Sequence, residues 1–314
     1  MGHRYAFLFP GQGSQHVGMG ADLYERSPFF GQVLRRAGAM VGQDIEEAVL
    51  VGPAERLTET VPTQLSVLAL SCALTAELDL LGLAPAVVAG HSLGEYSALV
   101  AGGWLDLDDT LVVVANRAAE MADCCVATPG AMAAVLGMDP ATVRMAAAEM
   151  SGTVVVANAN SPRQSVVSGE SEAVRLLSAV LLERGAKTVI PLEVHGAFHS
   201  PLMAQAEDRL APLIADLPLH AGHTPLISSM TGQLVTDLAS YRRLLARQIA
   251  APVEWVGVME TLRAEAVDTC IEVGPGTVLR GLLRQFDRKA VSASCAGWGD
   301  AMALTVGDEH LLVA

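Results

Sequence analysis

The chain is poor in aromatic residues, and its core must be built mainly from aliphatic side chains. Phe, Trp and Tyr make up 4% of its 314 residues, whereas hydrophobic residues of all kinds make up 51%. An aliphatic core of this kind is typical of a sheet covered by helices. The length is sufficient for one large domain or two smaller ones.

Basic residues are also scarce. The chain has 20 Lys and Arg against 34 Asp and Glu, which gives a net charge of −14. This charge argues against non-specific binding to nucleic acid, and an acidic partner could dock only on a local basic patch. Two groups of residues could form such a patch: Arg280, Arg284 and Arg288 with Lys289, or Arg163, Arg175 and Arg184 with Lys187. For either group the alternative is an ordinary solvated surface.

The chain lacks cysteine pairs of the kind that hold zinc. Its five cysteines are odd in number and include no C-x-x-C motif. We therefore expect neither a disulfide framework nor a zinc site. A reducing, cytoplasmic environment is expected instead. Adjacent Cys124 and Cys125 are expected to pack as small apolar residues at a helix end.

The sequence predicts neither a signal peptide nor a membrane segment. The first apolar stretch is short and ends in PGQG at residues 10–13, without a small-residue cleavage site, so a first strand is expected there instead. We expect no apolar run long enough to span a bilayer.

The most informative motif is GHSLG at residues 90–94, a G-x-S-x-G pattern. It follows an apolar run that predicts a strand over 86–89 and precedes a helix-like run over 95–101. This context is typical of a nucleophile elbow, which exposes a serine hydroxyl at a sharp turn beside backbone N–H groups that can stabilise an oxyanion. The motif predicts that Ser92 is the nucleophile of an acyl-transferring enzyme. The alternative is a buried serine in an ordinary turn.

The order of predicted elements indicates an α/β fold with an inserted domain. Strands at Tyr5–Phe9 and 86–89 alternate with helices at Thr60–Leu80 and 106–122, which is typical of a parallel sheet. After residue 128 the order becomes strand, helix, strand, strand, helix, strand, that of a ferredoxin-like unit. The predicted strands of this unit are Ala131–Leu136, 154–157, 165–168 and Thr188–Pro191, and its helices are 140–150 and 170–184.

We therefore predict a large α/β-hydrolase-like domain with a parallel sheet, formed by residues 1–127 and 196–314. A small ferredoxin-like domain is inserted at 128–195. The large domain resumes with strands at 226–229 and 268–273, and residues 290–314 show no clear pattern.

A serine nucleophile requires a base, and histidine is the usual choice. His91 adjoins Ser92 in sequence but should point away from it, and the histidines near the termini or in a predicted surface turn are poor candidates. His195 and His199 follow a predicted strand, where catalytic side chains lie in open α/β sheets. The residues alone leave His199 open between a catalytic base and a structural histidine.

Six motifs in order along the chain resemble those of the malonyl-CoA:acyl-carrier-protein transacylases, the family that also supplies acyltransferase domains of polyketide synthases. They are FPGQGSQ at 9–15, GHSLGEY at 90–96, NANSPRQ at 158–164, GAFHS at 196–200, QIAAPV at 248–253 and EVGPG at 272–276. The resemblance covers nearly the whole chain except its last three dozen or so residues.

The resemblance implies a ping-pong mechanism without metal or redox cofactor. Ser92 would attack the thioester of malonyl-CoA with His199 as general base, and the phosphopantetheine thiol of an acyl carrier protein would then take the malonyl group. The resemblance also implies an oxyanion hole from the backbone N–H groups of Gln12 and Leu93. It implies that the backbone carbonyl of Gln248 orients His199.

Arg117 is the candidate specificity residue. It lies in an apolar stretch of the helix predicted over 106–122, and a buried guanidinium requires an anionic partner whose carboxylate its planar fork can bind with two hydrogen bonds. From the residues alone, that partner could be Glu120 or Asp123. The resemblance favours the free carboxylate of a malonyl group.

The remaining pocket residues implied by the resemblance are His91, Asn160 and Phe198. In the family, phenylalanine before the base and an aliphatic residue after the nucleophile go with malonyl over methylmalonyl selection, and here these are Phe198 and Leu93. Gly196 departs from the histidine often found at its position, and a glycine would leave extra space for larger groups.

Two other functions remain as alternatives. A hydrolase of the same fold would clear acyl groups from carrier proteins, but would have no use for Arg117 if its substrates were neutral. An interaction module with a decayed site is disfavoured by the intact serine, histidine and arginine. The fold needs no partner to bury its core, so a monomer is expected.

Overall fold

The computed structural model describes residues 3–194 and 196–306. Its strands are β1 (Tyr5–Phe9), β2 (Pro85–Gly90), β3 (Ala131–Leu136), β4 (Val154–Ser161), β5 (Gln164–Gly169), β6 (Thr188–Pro191), β7 (Leu226–Ile227), β8 (Thr269–Val273) and β9 (Ser292–Cys295).

Its helices in the first part of the chain are α1 (Ala21–Arg26), α2 (Pro28–Val41), α3 (Ile45–Leu50), α4 (Ala54–Thr58), α5 (Thr60–Leu80), α6 (Gly94–Ala101) and α7 (Leu107–Ala127). Those that follow are α8 (Pro140–Ala148), α9 (Ser171–Glu183), α10 (Ala204–Asp216), α11 (Leu238–Arg247), α12 (Trp255–Ala264), α13 (Val278–Phe286) and α14 (Trp298–Thr305), and a single 3-10 turn spans Pro201–Met203.

A five-stranded parallel sheet forms the centre of the larger part. Its strand order is β7-β2-β1-β8-β9, and every neighbouring pair is parallel. The interior strands β1 and β8 are mostly apolar and almost entirely buried, as expected where helices cover both faces of a sheet. The carboxyl ends of β1 and β2 lead into Gly11 and Ser92, so the sheet brings the N-terminal motif beside the elbow.

A second sheet of four antiparallel strands has the order β4-β5-β3-β6. Together with α8 and α9, which pack on it through residues such as Val143, Leu177 and Leu181, it forms the predicted ferredoxin-like unit. The predicted fold class, a parallel α/β sheet with a small antiparallel unit, is confirmed. The domain boundaries at 128 and 195 stay a prediction.

The edge of the small sheet joins the larger part at β4. Ala159 N–H donates to the carbonyl of Val253 (2.8 Å), and Val253 N–H donates to the carbonyl of Ala157 (2.8 Å). These bonds place the NANS segment of β4 next to the segment that follows Gln248, so both sheets contribute to one site.

Three parts of the fold differ from the sequence expectation. Helix α7 continues five residues past the predicted end at 122, because its last turns bury Cys124 and Cys125. The segment after residue 290 contains β9, an edge strand paired to β8, and α14. The sequence of β9, SASC, has small residues without alternation, and only the neighbouring strand makes it a strand. Helices α1 to α4, α11 and α12 were not predicted either.

One helix of the described residues, α5, has the length and apolar composition of a membrane-spanning helix. The expectation that no run is long enough is therefore wrong. Of its most apolar stretch, 78% is buried inside the fold. A helix surrounded by protein is apolar on all sides for the same reason as one surrounded by lipid.

Candidate active site

Ser92 stands at a strained turn between β2 and α6. Its φ of 53° lies in the left-handed region, which non-glycine residues rarely adopt. A Cβ at Gly90 would lie 2.0 Å from the backbone of Gly94, and one at Gly94 would lie 2.0 Å from the carbonyl oxygen of Phe9. Both glycines of the motif are therefore required by the close packing of this turn, which has the geometry of an elbow.

His199 is brought to Ser92 from 107 residues away. Ser92 Oγ and His199 Nε2 are 2.7 Å apart. On the other side of the ring, Nδ1 lies 3.0 Å from the carbonyl oxygen of Gln248 and 2.9 Å from that of Ala251. Carbonyl oxygens only accept, so Nδ1 carries the proton and Nε2 is left to accept the proton of the serine hydroxyl.

The environment keeps the imidazole neutral. His199 is 4% exposed, and burial, followed by the positive charge of Arg117, lowers its pKa to about 3. An unprotonated Nε2 beside a hydroxyl is the form that a general base requires.

Arg117 is buried with neutral partners. It is 1% exposed, and its Nη1 donates to Gln64 Oε1 (2.7 Å), while its Nη2 donates to Ser92 Oγ (3.1 Å) and to Gln248 Oε1 (3.1 Å). Among the residues that the structure describes, no salt bridge joins Arg117 to Glu120 or Asp123. Glu120 instead pairs with Arg209 (3.0 Å). The guanidinium beside the serine is thus held without a carboxylate.

Gln248 contributes its side chain to the site as well as its backbone carbonyl. Its backbone carbonyl contacts His199, as the resemblance implies, and its side chain also enters the site. Gln248 Nε2 donates to the carbonyl of Ser92 and to Glu95 Oε2, both at 2.9 Å, and Gln248 Oε1 accepts from Arg117. One residue therefore contacts the nucleophile, the base and the guanidinium.

Gln12 and Leu93 line the same cavity as Ser92. Gln12 lies just after β1, and Leu93 precedes the first turn of α6, so both belong to loops at the carboxyl edge of the parallel sheet. Backbone N–H groups at a helix start beside a serine are suited to binding an oxyanion.

The cavity has a volume of about 200 Å³ and opens between the two sheets. His91, Asn160 and Phe198 line it. His91 Nε2 lies 2.9 Å from Asn160 Oδ1, so the ring contacts β4 of the small sheet and is not the partner of Ser92. Burial lowers the pKa of the His91 ring. The cavity volume is below the roughly 300 Å³ of pockets for drug-sized ligands, so the cavity suits a small group beside Ser92.

The space expected beside Gly196 is filled. A Cβ at Gly196 would lie 2.0 Å from Cys125 Sγ and 3.1 Å from the Phe198 ring. The expectation that the glycine leaves extra space is therefore wrong, because the thiol of Cys125 from the end of α7 occupies it. The sequence could not reveal this contact between residues 71 positions apart.

The other histidine considered as a base, His195, falls outside the described residues, as does His310. His223 contacts Thr224 and does not line the cavity of Ser92. Within residues 3–194 and 196–306, no group of three or more His, Cys, Asp or Glu residues is arranged to hold a metal ion.

Sequence reasoning missed two residues of the site, Gln64 and Glu95. Gln64 is a fully buried amide in the apolar helix α5, and a polar residue within such a run was the available signal. Glu95 is a buried carboxylate within the GHSLGEY motif itself, where its charge in an otherwise apolar helix start could have marked it.

Comparison with known proteins places the chain in a family. The model of the acyl transferase domain matches residues 6–299. The malonyl CoA-acyl carrier protein transacylase of Bacillus subtilis is 39% identical over 289 residues, which are 91% of each chain.

Two solved structures extend the match to the whole fold. The malonyl-CoA:acyl carrier protein transacylase of Xanthomonas oryzae superposes with a TM-score of 0.92 at 36% identity and covers 98% of both chains. A malonyl-transacylase solved with its type II polyketide synthase acyl-carrier protein gives a TM-score of 0.92 at 33% identity, covering 97% of this chain and 99% of that one. The predicted resemblance is confirmed, and the chain belongs to the malonyl-CoA:acyl-carrier-protein transacylase family of acyl transferases.

Proposed function

We propose that the chain transfers a malonyl group from malonyl-CoA, through an ester on Ser92, to the phosphopantetheine thiol of an acyl carrier protein. The observation that carries the proposal is the Ser92–His199 pair facing a buried guanidinium whose hydrogen-bond partners are neutral. A free carboxylate on the acyl group is the partner that this guanidinium fits. The relatives named malonyl CoA-acyl carrier protein transacylases support the same substrate and acceptor.

In the first half-reaction, Ser92 Oγ attacks the thioester carbonyl carbon while its proton passes to His199 Nε2. The oxyanion of the tetrahedral intermediate accepts from the backbone N–H groups of Gln12 and Leu93. The C–S bond then breaks, and the departing CoA sulfur takes the proton back from His199. A malonyl-serine ester and free CoA result.

In the second half-reaction, the carrier-protein thiol gives its proton to His199 Nε2 and attacks the ester carbonyl carbon. The bond to Ser92 Oγ breaks, and His199 returns the proton to the serine. Every proton passes through one imidazole and no electron is transferred, so the chemistry calls for no cofactor.

Arg117 would bind the free malonyl carboxylate with its fork while Gln64 and Gln248 hold the guanidinium from the other side. Phe198, packed near Gly196 and Cys125, would crowd a substituent on the second carbon of the acyl group. His91 and Asn160 would complete the wall on the side of the small sheet.

A thioester hydrolase of the same fold is the weaker candidate. A hydrolase acting on neutral acyl chains would have no use for a buried guanidinium, and the named relatives are transacylases. Transfer to a thiol rather than to water is therefore the function that we propose.

The carrier protein would dock at the end of α13. Arg284 and Arg288 line a surface depression with Arg163 and Gln285, and no salt bridge engages these arginines among the described residues. Two of the other basic candidates are already paired: Arg175 with Glu172 and Arg184 with Glu149. Leu279 and Leu282 of the same helix line the acyl cavity, so a partner held at its far end could reach Ser92.

We propose a monomeric enzyme, because the apolar core of the fold is buried without a partner. All five cysteines are buried and unpaired, which suits a reducing cytoplasm.

Whole-protein mass spectrometry after a brief pulse of malonyl-CoA tests the proposed function. We expect an adduct of malonyl mass that is absent in Ser92→Ala and is discharged when a carrier protein with a free phosphopantetheine thiol is added. Release as free malonate at the same rate with and without the carrier would instead favour the hydrolase. Absence of any adduct would contradict both.

A further inference from the structure

Glu95 is a fully buried acidic residue that the proposed reaction does not use. It lies in the first turn of α6, three residues after Ser92, and is 0% exposed. Its carboxylate accepts from Ser229 Oγ (2.7 Å), Ser229 N (3.4 Å), Tyr241 Oη (3.2 Å) and Gln248 Nε2 (2.9 Å). A buried carboxylate is costly unless donors of this kind satisfy it, so its presence beside the elbow calls for a reason.

The contact with Gln248 determines which way that amide points. Gln248 Nε2 lies between two acceptors, Glu95 Oε2 and the carbonyl of Ser92, each at 2.9 Å. Burial raises the pKa of Glu95, but the four N–H and O–H donors around its carboxylate favour the ionised form, which only accepts. The amide nitrogen of Gln248 therefore faces Glu95 and its amide oxygen faces Arg117. A flipped amide would set its N–H groups against those of the guanidinium.

The same arrangement places a negative charge near Arg117 without occupying its donors directly. Burial lowers the pKa of Arg117, and the Glu95 carboxylate acts in the opposite direction. A carboxylate in direct contact would take up the fork that a substrate carboxylate needs. With the Gln248 amide between them, the two charges compensate while the guanidinium still lines the cavity.

We propose that Glu95 is a positioning residue for the acyl carboxylate: through the amide of Gln248 it holds the guanidinium of Arg117 in place at the wall of the cavity. The proposal rests on the proposed function, because it concerns recognition of the malonyl group. It assigns Glu95 no contact with the substrate.

The test compares a charged and a neutral substrate in Glu95→Gln. Malonyl-CoA turnover depends on Arg117, whereas hydrolysis of p-nitrophenyl acetate needs only Ser92 and His199. We expect kcat/KM for malonyl-CoA to fall by about tenfold or more, mainly through KM, since a hydrogen bond to a charged group is disturbed. The neutral ester should be hydrolysed within about twofold of the original rate.

A double-mutant cycle separates positioning from a structural effect. In an Arg117→Ala background, Glu95→Gln should cause no further loss of malonyl selectivity. The matched control is Glu272→Gln, which alters another buried carboxylate that binds the backbone N–H groups of Leu279 and Arg280 instead. It should leave the malonyl-to-neutral ratio unchanged.

Ser229→Ala tests the same link from the other side of Glu95 and decides the matter if Glu95→Gln does not fold. It should give a smaller loss of the same malonyl-selective kind, because it removes the hydroxyl that donates to Glu95 Oε2 (2.7 Å) and leaves Ser92, His199 and Gln248 unaltered. Equal losses on both substrates, or a loss that persists without Arg117, would overturn the proposal. If the unaltered protein itself turns over no malonyl-CoA, the proposed function has failed rather than the role of Glu95.

Discussion

The polar and apolar parts of the acyl cavity are built in different ways. In the polar part, Arg117 donates to the amide oxygens of Gln64 and Gln248 and to Ser92 Oγ, so the position of its guanidinium is defined by hydrogen bonds. In the apolar part, the Phe198 ring lines the cavity, and Gly196 and Cys125 lie behind it, outside the cavity wall. A misplaced charge in a buried site costs far more than a misplaced methyl group. The site should therefore select strongly for a carboxylate and more weakly against a substituent.

Removing the guanidinium should have the largest effect. We expect Arg117→Ala to lower kcat/KM for malonyl-CoA by about 10²- to 10³-fold, since a buried charged hydrogen-bonding partner is lost. Transfer of an uncharged acetyl group should fall much less. Arg117→Lys is the matched control, because it keeps the charge and loses the fork, and it should recover only part of the rate. Unaltered malonyl turnover in Arg117→Ala would refute the claim that the polar part of the cavity selects for a carboxylate.

The polar part should also set the pH dependence of the reaction. With a folded-state pKa of about 3, His199 stays unprotonated at pH 5, whereas a base with the ordinary pKa of about 6.5 would lose about 30-fold in rate there. The kcat/KM profile for a neutral ester should thus lack an acid limb between pH 5 and 7. In Arg117→Ala, loss of the positive charge should raise the pKa of His199 and move the acid limb of the profile to higher pH.

The lowered pKa of His199 also predicts how the free energy of unfolding depends on pH. Below pH 6.5 the unfolded chain protonates this histidine while the folded chain does not until about pH 3, so this group destabilises the fold as the pH falls through that range. An acid limb near pH 6.5 in the unaltered enzyme would contradict the assignment of a neutral, buried base.

The apolar part should respond more modestly. Cys125→Ala removes the sulfur beside Gly196, and we expect use of methylmalonyl-CoA relative to malonyl-CoA to rise about tenfold, the size of effect that one methyl group has in an apolar pocket. Cys72→Ala, at a buried cysteine distant in sequence, is the control. A ratio that does not change would mean that Cys125 does not restrict the substituent.

The smallest effect should come from exposed charges outside both parts. We expect the double substitution Arg284→Glu and Arg288→Glu to raise KM for the carrier protein about fivefold, in a salt-dependent manner. Malonyl-adduct formation on Ser92 and the malonyl-to-acetyl ratio should not change. Arg175→Glu, at an arginine paired with Glu172, is the control. An unchanged KM for the carrier would place the docking surface elsewhere.

How much the sequence predicts depends on how far apart the interacting residues are. The bounds of β1, β3, β6 and α5 follow from local apolar patterns and agree with the structure. Strand β9 and the end of α7 do not, because their neighbours in space rather than their own residues stabilise them. The fold class followed from the order of elements, which is a local signal repeated along the chain.

The residues of the candidate site likewise differ in how much of their role follows from neighbouring residues and how much from distant segments. Ser92 is marked by an elbow motif within five residues. His199 and Arg117 were candidates from the residues alone, with alternatives open, and the family resemblance decided between these alternatives and supplied the other site residues. Glu95 and Gln64 were missed, and Cys125 was expected only to pack at a helix end, because each acts through a contact with a distant segment. No spacing rule links Gln64 to Arg117 or Cys125 to Gly196.

The sequence by itself determined the strand–turn–helix around Ser92, the alternation that produces a parallel sheet, and the inserted ferredoxin-like order, since each depends on residues close along the chain. Only the tertiary structure decided that His199 carries its proton on Nδ1, that Arg117 is held by neutral groups, and that a thiol fills the space beside Gly196. Hydrogen bonds and packing act over a few ångströms in space, and in this fold the groups concerned come from segments far apart along the chain.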